Sequence, residues 1–384
     1  MVSYSEIATD PRVRRQVDWL TGDGWGVDTI GLGPHPTPEV ADHFVVRAPA
    51  AWLATKWGTL ISHTLVPRRR RFRMLYTDRI PTAARERVRT GVYDLVVLNE
   101  LEFAAWVDDP RDFTPAAAHT RRHLDLHEYH NPRMRRRTLG GRLTAGNYRW
   151  MRRQIGHPSF TSRTVVNAPI GQLYVDEFGI APLVPVRNAP PYVDQDPSHV
   201  DPDEIRLLFH GLASWQRGFT EILDAFRTLP ERFSMTFMLM PNPVIIRMLE
   251  EALEGHPARD RIRIVPPAPM REIAERINEY DLEVVFYRPT EHNLRYALPN
   301  KFFEAIQGRL GVVVGESPSM AELVREHGCG VVVPGFDGSD LAAALGALSA
   351  DDVAALKSAA DRAARTLNAE AEGRAFLAAV GSGS

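Results

Sequence analysis

Short apolar runs alternate with amphipathic segments through the second half of the chain, and this alternation constrains the fold more than any other feature. Such runs, bounded by turn residues, are typical of buried strands in a parallel sheet, and the segments between them have the length of helices. We predict strands at 205–210, 234–239, 261–265, 282–286 and 311–314, with helices at 217–229, 244–253, 271–278 and 300–307. The pattern predicts an α/β domain whose parallel sheet is covered by helices.

The first half shows a less regular version of the same alternation. We predict a helix at 11–20, because Asp10 suits the N-cap and Pro11 suits the first helical position. We further expect strands at 27–30, 94–98 and 124–126, edge-like segments at 164–166 and 183–186, and a basic helix over 131–155. Two α/β regions in one chain indicate two domains.

A stretch rich in proline and acidic residues separates the two regions and predicts a linker. We place domains at 1–190 and 204–350, the linker at 191–203, Ala-rich helices at 351–380 and a disordered tail at 381–384. The sequence leaves open whether these last helices cross back to the first domain. The acidic triplets within 194–203 lie in this stretch and not at a strand end, so we interpret them as solvated.

Composition narrows the class of protein. The chain is 44% hydrophobic and 24% charged, as in ordinary globular proteins. One cysteine, Cys329, excludes an internal disulfide framework, and we see neither a signal segment nor an apolar run of about 18–20 residues. We therefore expect a cytoplasmic protein. Residues 1–190 carry 27 Lys and Arg against 19 Asp and Glu, which leaves 19 against 29 for the rest, so the two halves either meet different partners or drift in surface composition.

Candidate ligand residues follow the predicted strands, because open parallel sheets bind ligands at the carboxyl ends of their strands. After 205–210 the chain continues with Gly211, then Arg217 and Gly218 at the start of a helix. A helix start offers free N–H groups to a phosphate, and an arginine adds a permanently charged fork. The alternative is a glycine turn that carries a solvated arginine.

The helix at 300–307 offers a second set. Asn300 opens this helix, and Lys301 and Glu304 lie three residues apart on one face. Two interpretations remain open. The pair is either an exposed ion pair, or Lys301 binds a phosphate while Glu304 accepts hydrogen bonds from a ribose diol.

Histidines and basic clusters mark the first half. His127 and Glu128 follow the strand at 124–126, where His127 is either a ligand residue at the strand end or a structural histidine. A metal site built with His119, His123 and His130 is disfavoured because the spacing is not H-E-x-x-H, and we expect no metal and no cofactor.

The arginine-rich segments at 67–73 and 132–137 lack interleaved aromatic residues and any known nucleic-acid module, so we do not expect nucleic acid. They suit anionic lipid headgroups, an acceptor that carries phosphate, or a solvated helix face. The neighbouring Trp52 and Trp57 are either interface anchors or core residues, and we expect the core.

An ordered set of motifs gives the chain a family resemblance. The segment 289–333, with PNKFFE and EHGCGVVV, is similar to retaining glycosyltransferases of the large family four, as are DPRVRRQVDWL, LDLHEYH, RNAPPY and LNAEAE. The resemblance implies the GT-B fold, in which two Rossmann-like domains have parallel sheets that face each other across a cleft. It also implies sugar transfer, with retention, from a nucleotide-sugar to a glycan, lipid-linked or small-molecule acceptor, in cell-surface polysaccharide or glycoconjugate biosynthesis.

The resemblance also implies residue roles. It places the donor in the second domain, with the ribose on Glu304 and the leaving diphosphate on Arg217 and Lys301, while His127 touches the donor sugar. Arg12 and Glu128 fall on the acceptor side. The chain departs from the family pattern at Tyr296, the first position of E-x7-E, and near Ala213, where an arginine is usual.

Two alternatives stay open. One is a nucleotide-sugar isomerase of the same fold, which needs no acceptor. The other is a non-catalytic nucleotide-sugar binding protein, which Tyr296 suggests. A position at the inner face of a membrane is a further expectation from the basic clusters.

Overall fold

A computed structural model describes residues 1–109, 111, 119–131 and 139–381. The basic segment 132–137, the first part of the helix expected at 131–155 and the tail 382–384 lie outside these residues. The chain forms two compact units, one of Met1–Arg187 with Gly373–Ser384 and the other of Asn188–Glu372.

The first unit contains a parallel seven-stranded sheet. Its strands are β1 Val2–Glu6, β2 Thr29–Leu32, β3 His43–Val45, β4 Leu95–Asn99, β5 Arg121–Leu126, β6 Ser162–Val165 and β7 Val184–Pro185, in the order β3-β2-β1-β4-β5-β6-β7. The prediction missed β1 and β3 and placed β2 two residues too early. It also treated β6 as an edge, whereas β6 pairs with both β5 and β7.

Helices cover this sheet: α1 Pro11–Gly22, α2 Lys56–Thr64, α3 Arg68–Leu75, α4 Thr82–Thr90, α5 Leu101–Ala104, α6 Leu139–Arg153 and α7 Ala168–Phe178. The expected start of α1 is confirmed, since Asp10 accepts hydrogen bonds from the N–H groups of Arg12 and Val13. The end of the last helix, α16 Ala369–Val380, packs its Phe376 into the same core as Val13.

The second unit contains a parallel sheet, as predicted, but it has six strands, because the prediction missed the last strand. Its strands are β8 Ile205–Gly211, β9 Phe233–Leu239, β10 Ile262–Val265, β11 Leu282–Val285, β12 Gly311–Gly315 and β13 Gly330–Val333, in the order β10-β9-β8-β11-β12-β13. The helices are α8 Phe219–Phe226, α9 Pro243–Leu253, α10 Ile273–Ile277, α11 His292–Arg295, α12 Asn300–Gln307, α13 Pro318–His327, α14 Gly338–Gly346 and α15 Ala350–Ala364.

The proline-rich stretch at 191–203 is irregular, as expected, but it belongs to the second unit. Gln195 donates hydrogen bonds to the carbonyls of Ala274 and Gln307, and Val200 is buried in the core. These contacts hold most of the predicted linker on the surface of the sheet domain.

Strand order sets the place of a ligand site in the second unit. The chain moves outward from β8 through β9 to β10, then returns to the other side of β8 at β11. At such a reversal the connections leave in opposite directions, which opens a crevice at the carboxyl ends of the strands. The sheet is buried on both faces, with Phe209 and Phe237 on one side and Leu208 and Val285 on the other.

Candidate functional site

A pocket of about 510 Å³ lies at the carboxyl ends of β8, β9 and β10 and at the start of α12. Its polar lining consists of His210, Gly211, Arg217, Asn300, Lys301 and Glu304. Met238, Met240 and Met270 supply an apolar part of the wall. Five residues that the sequence singled out thus line one pocket within a single unit.

Glycine geometry shapes the loop between β8 and α8. Gly211 and Gly218 have positive φ angles of 105° and 93°, which side chains with a Cβ rarely adopt. A Cβ on Gly218 would lie 2.2 Å from the carbonyl oxygen of Phe286, so only glycine fits there. The loop brings Arg217 to the pocket wall, with its guanidinium carbon 5.7 Å from the centre of the Tyr287 ring.

Lys301 is a buried cation at the first turn of α12. Its Nζ lies 3.2 Å from the centre of the Phe209 ring and 3.7 Å from Glu283 Oε1. Within the described residues this Nζ has no hydrogen-bond partner. Burial lowers the pKa of Lys301 to about 7. The negative charge of Glu283 opposes this shift, and the positive charge of Arg217 adds to it.

One imidazole connects two carboxylates beside this lysine. His210 Nδ1 lies 2.9 Å from Glu283 Oε2, and its Nε2 lies 2.9 Å from Glu304 Oε2. Burial on its own lowers the pKa of His210, but the two carboxylates together outweigh it and raise the pKa to about 9. The imidazole is therefore cationic at neutral pH and fixes the position of the Glu304 carboxylate.

The arrangement suits an anionic ligand that also carries hydroxyl groups. Arg217, Lys301 and the free N–H groups at the start of α12 supply positive charge and donors for a diphosphate. Glu304 supplies an acceptor whose Oε2 is engaged by His210. An exposed Lys301–Glu304 ion pair is excluded, because Lys301 is buried and is paired with Glu283.

Two predicted donor residues lie away from the pocket lining. Gly218 is buried behind the loop and acts through its backbone. Tyr296 follows α11, and its carbonyl accepts a hydrogen bond from Ser319 Oγ, while its side chain is not part of the wall. A contact between Tyr296 and the donor therefore stays a prediction.

The three site residues predicted in the first unit take different positions. Arg12 is buried, donates two hydrogen bonds to Asp125 at 2.6 and 2.7 Å and a third to the Val186 carbonyl. Asp125 and the Val186 carbonyl thus hold the Arg12 guanidinium in place, and its acceptor-side role stays a prediction. His127 lies at the end of β5 with Nε2 3.1 Å from Asp125 Oδ2, and the Glu128 side chain is exposed.

Burial raises the pKa of Asp125, but the Arg12 guanidinium, with help from His127, outweighs it and holds the pKa well below its usual range. Asp125 therefore stays ionised and anchors the end of β5. Among the residues described, no group of three or more His, Cys, Asp or Glu side chains is placed to hold a metal ion.

Sequence reasoning missed Glu100, which follows β4 near His127. Its φ of 80° is unusual for a residue with a side chain, and Ser3 Oγ donates to its carboxylate at 3.3 Å. Burial and the nearby Glu102 raise the pKa of Glu100 to about 7. The available signal was its position, as the first charged residue after a buried strand.

His210 and Glu283 were also missed as site residues. Both lie inside apolar strand segments, and they are 73 positions apart. The signal was Glu283 itself, a carboxylate within the buried run Leu-Glu-Val-Val, which requires a partner to offset the loss of water.

Comparisons with known proteins establish the fold. No family model matches the chain, and no curated protein matches its sequence. A glycosyltransferase structure from Rickettsia africae ESF-5 has a TM-score of 0.67 at 12% identity over 98% of this chain and 96% of that chain. Sucrose-phosphate synthase from Thermosynechococcus elongatus has a TM-score of 0.69 at 14% identity, with the same coverage.

A third similar structure is Anabaena HepE, solved in complex with UDP and glucose. Its TM-score is 0.63 at 11% identity, and the match covers 98% of this chain and 97% of that chain. At such identities the likeness is one of fold. The predicted architecture, two Rossmann-like units of the GT-B type, is confirmed.

Proposed function

We propose that this chain, whose fold is that of GT-B glycosyltransferases, transfers a sugar from a nucleotide-sugar donor to an acceptor. One observation carries the proposal: Glu304, Lys301 and Arg217 meet in a single pocket at the strand-order reversal of the second unit. That combination matches the ribose and diphosphate of a nucleotide-sugar. The similar structures support the proposal, since they include a glycosyltransferase, a sucrose-phosphate synthase and a protein solved with UDP and glucose.

Each residue has a separate role in the proposal. Glu304 accepts hydrogen bonds from the ribose, and the apolar wall with Met238 and Met240 receives the base. Arg217, Lys301 and the N–H groups at Asn300 stabilise the diphosphate as negative charge develops on it. Loss of one such contact in the transition state costs about 2.7–4 kcal/mol by analogy with an oxyanion-hole donor.

The finer chemistry is part of the proposal. We propose retention of anomeric configuration, with the leaving phosphate taking the proton of the acceptor hydroxyl, so that no protein nucleophile is needed. His127 contacts the donor sugar in this scheme, and Glu128 lies on the acceptor side. Because Arg217 and Lys301 neutralise the diphosphate, we expect transfer without a divalent cation.

The acceptor and the location follow the same reasoning. We propose a glycan, lipid-linked or small-molecule acceptor in polysaccharide or glycoconjugate biosynthesis. A similar trehalose-phosphate synthase from Burkholderia xenovorans was solved with glucose-6-phosphate, in keeping with a sugar acceptor. The exposed arginines of α3 favour a cytoplasmic protein that associates with the inner face of a membrane.

A thermal-shift panel of UDP-, GDP-, ADP- and TDP-sugars tests the donor site. A ligand at about 100 times its Kd stabilises the native state by about 2.7 kcal/mol, so at least one sugar should raise the melting temperature clearly. Arg217→Met should weaken the shift, while Arg89→Met, at an exposed position of the first unit, should not. If no nucleotide-sugar shifts the wild type, or if both variants behave alike, the donor site is wrong.

A further inference from the structure

Helix α2 presents its large apolar side chains to solvent. Trp57 and Leu65 are 74% and 77% exposed, and Leu60 and Ile61 between them are exposed as well. Their spacing of three to four residues places them on one side of the helix and its C-terminal cap. The residues of α2 that are buried are Gly58 and Ser62, so its packing inverts the usual arrangement for a surface helix.

Close packing causes this inversion. A Cβ on Gly58 would lie 1.8 Å from the carbonyl oxygen of Trp52, so no larger residue fits on the inner face. The carbonyl of Ser62 accepts a hydrogen bond from the buried Arg71 at 3.0 Å. Rotation of α2 to bury Trp57 would break both contacts, so the apolar face is a stable feature of the surface.

Exposed cations flank this face along the chain. Arg68, Arg69 and Arg70 are exposed at the start of α3, and Lys56 is exposed at the start of α2. The sequence contains no Asp or Glu between Asp42 and Asp78. An apolar face on a stretch of chain that carries cations and no carboxylates favours a partner that is both apolar and anionic.

We infer that the face formed by Trp57, Leu60, Ile61 and Leu65 inserts into the interfacial region of a bilayer that contains anionic lipid. Tryptophan and leucine above a border of arginine are the composition of helices that lie in that region. A second copy of the chain is disfavoured, since two such cationic surfaces repel each other. No helix within the described ranges has the length and apolarity needed to traverse a bilayer.

This inference deepens the membrane location in the proposed function and names the element that enters the lipid. It corrects the expectation that Trp57 belongs to the core. It is independent of the transfer reaction, because α2 belongs to the first unit and the donor pocket to the second. Donor binding and lipid binding can therefore fail separately.

Vesicle flotation of the full chain tests the inference. We expect binding to phosphatidylcholine vesicles that contain about one third phosphatidylglycerol, and at least tenfold weaker binding to phosphatidylcholine alone. Trp57→Ser with Ile61→Ser should lower the affinity at least tenfold, since full burial of one such side chain is worth about one to two decades. Arg68→Gln with Arg70→Gln should lower it about tenfold or more, with a reduced salt dependence.

Val92→Ser is the matched control, because Val92 is 65% exposed on the first unit outside this face. It should bind vesicles as the wild type does, and unchanged melting temperatures would show that all variants fold. Equal binding to neutral vesicles, or wild-type binding by the Trp57/Ile61 variant, would overturn the inference. Salt-sensitive binding to polyglutamate without vesicle binding would also overturn it and would indicate an acidic protein partner. A dimer that the Trp57/Ile61 variant abolishes would overturn it as well and would indicate a second copy of the chain.

Discussion

His210 Nε2 lies 2.9 Å from Glu304 Oε2, so the carboxylate proposed to hold the ribose is itself held by a buried imidazole. The second imidazole nitrogen is paired with Glu283, which also faces Lys301. The four side chains form one network of alternating acidic and basic groups, and His210, Lys301 and Glu304 of this network line the pocket. Substitution of one of these residues therefore alters the position or charge of the others. Binding measurements need controls that separate the loss of a ligand contact from such indirect changes.

Glu304→Gln should weaken nucleoside diphosphate binding by about 1.5–3 kcal/mol, or one to two decades in Kd, because a charge-assisted acceptor is lost. The loss should shrink for a 2′,3′-dideoxynucleoside diphosphate, which has no diol to bind. Glu254→Gln, at an exposed position of the same unit, is the control and should change neither Kd. Equal losses for both ligands in calorimetry would mean that Glu304 supports the pocket without touching the ribose.

Diphosphate binding should be coupled to proton uptake. In the free protein the pKa of Lys301 lies at about 7, so at about pH 8 most of these side chains are neutral. A bound diphosphate favours the ammonium form, so binding should take up a fraction of a proton near pH 8 and weaken as pH rises above 7. Calorimetry in buffers of different ionisation enthalpy measures this uptake. Lys301→Arg should bind without uptake, since arginine stays charged; buffer-independent heats for the wild type would contradict the prediction.

Gly218→Ala should destabilise the second unit more than Gly255→Ala does. Both glycines have positive φ, so each substitution carries about 1–2 kcal/mol of backbone strain. Only Gly218 meets an obstacle, the Phe286 carbonyl oxygen at 2.2 Å, whereas Gly255 has open space. Urea denaturation should show a lower midpoint for Gly218→Ala, with weaker donor binding because Arg217 is displaced. Similar midpoints would show that the loop relaxes freely.

Glu100→Gly should stabilise the protein. Glycine relieves a positive φ of 80°, worth about 1–3 kcal/mol, against a loss of up to about 1 kcal/mol in chain entropy. In the folded state the pKa of Glu100 is raised to about 7, so ionisation of its carboxyl destabilises the fold. This destabilisation is absent below about pH 4.5 and complete above about pH 7. The gain should therefore increase with pH across that interval. Glu102→Gly, inside α5, should instead destabilise the protein by about 1 kcal/mol. If both substitutions change the free energy of unfolding in the same direction, strain at Glu100 is ruled out.

Local patterns predicted the second unit well because its strands are continuous apolar runs. Helix α12 begins at the expected Asn300, where Pro299 ends the preceding segment. Strand β1 was missed because its sequence, VSYSE, alternates polar and apolar residues although the strand is central in its sheet. Its polar Ser3 is buried and finds a partner in Glu100, which no local pattern reveals.

Long-range pairing limited the prediction of the site. Lys301 and Glu304 were found from their place at a helix start, whereas His210 and Glu283 became visible only when parallel strands brought them together. The exposed position of Trp57 has the same kind of cause. A tryptophan in an apolar segment predicts a core, but the contacts of Gly58 decide which face of α2 turns inward.

The most direct test of the central claim is mass spectrometry of wild-type protein with the nucleotide-sugar that stabilises it and a panel of sugar, sugar-phosphate and lipid-linked acceptors. We expect nucleoside diphosphate and glycosylated acceptor in equal amounts, with both lowered about one hundredfold or more in Arg217→Met and unchanged in Arg89→Met. An altered donor sugar in the absence of any acceptor would indicate an isomerase. Tight binding with no product from any acceptor would contradict the proposed transfer.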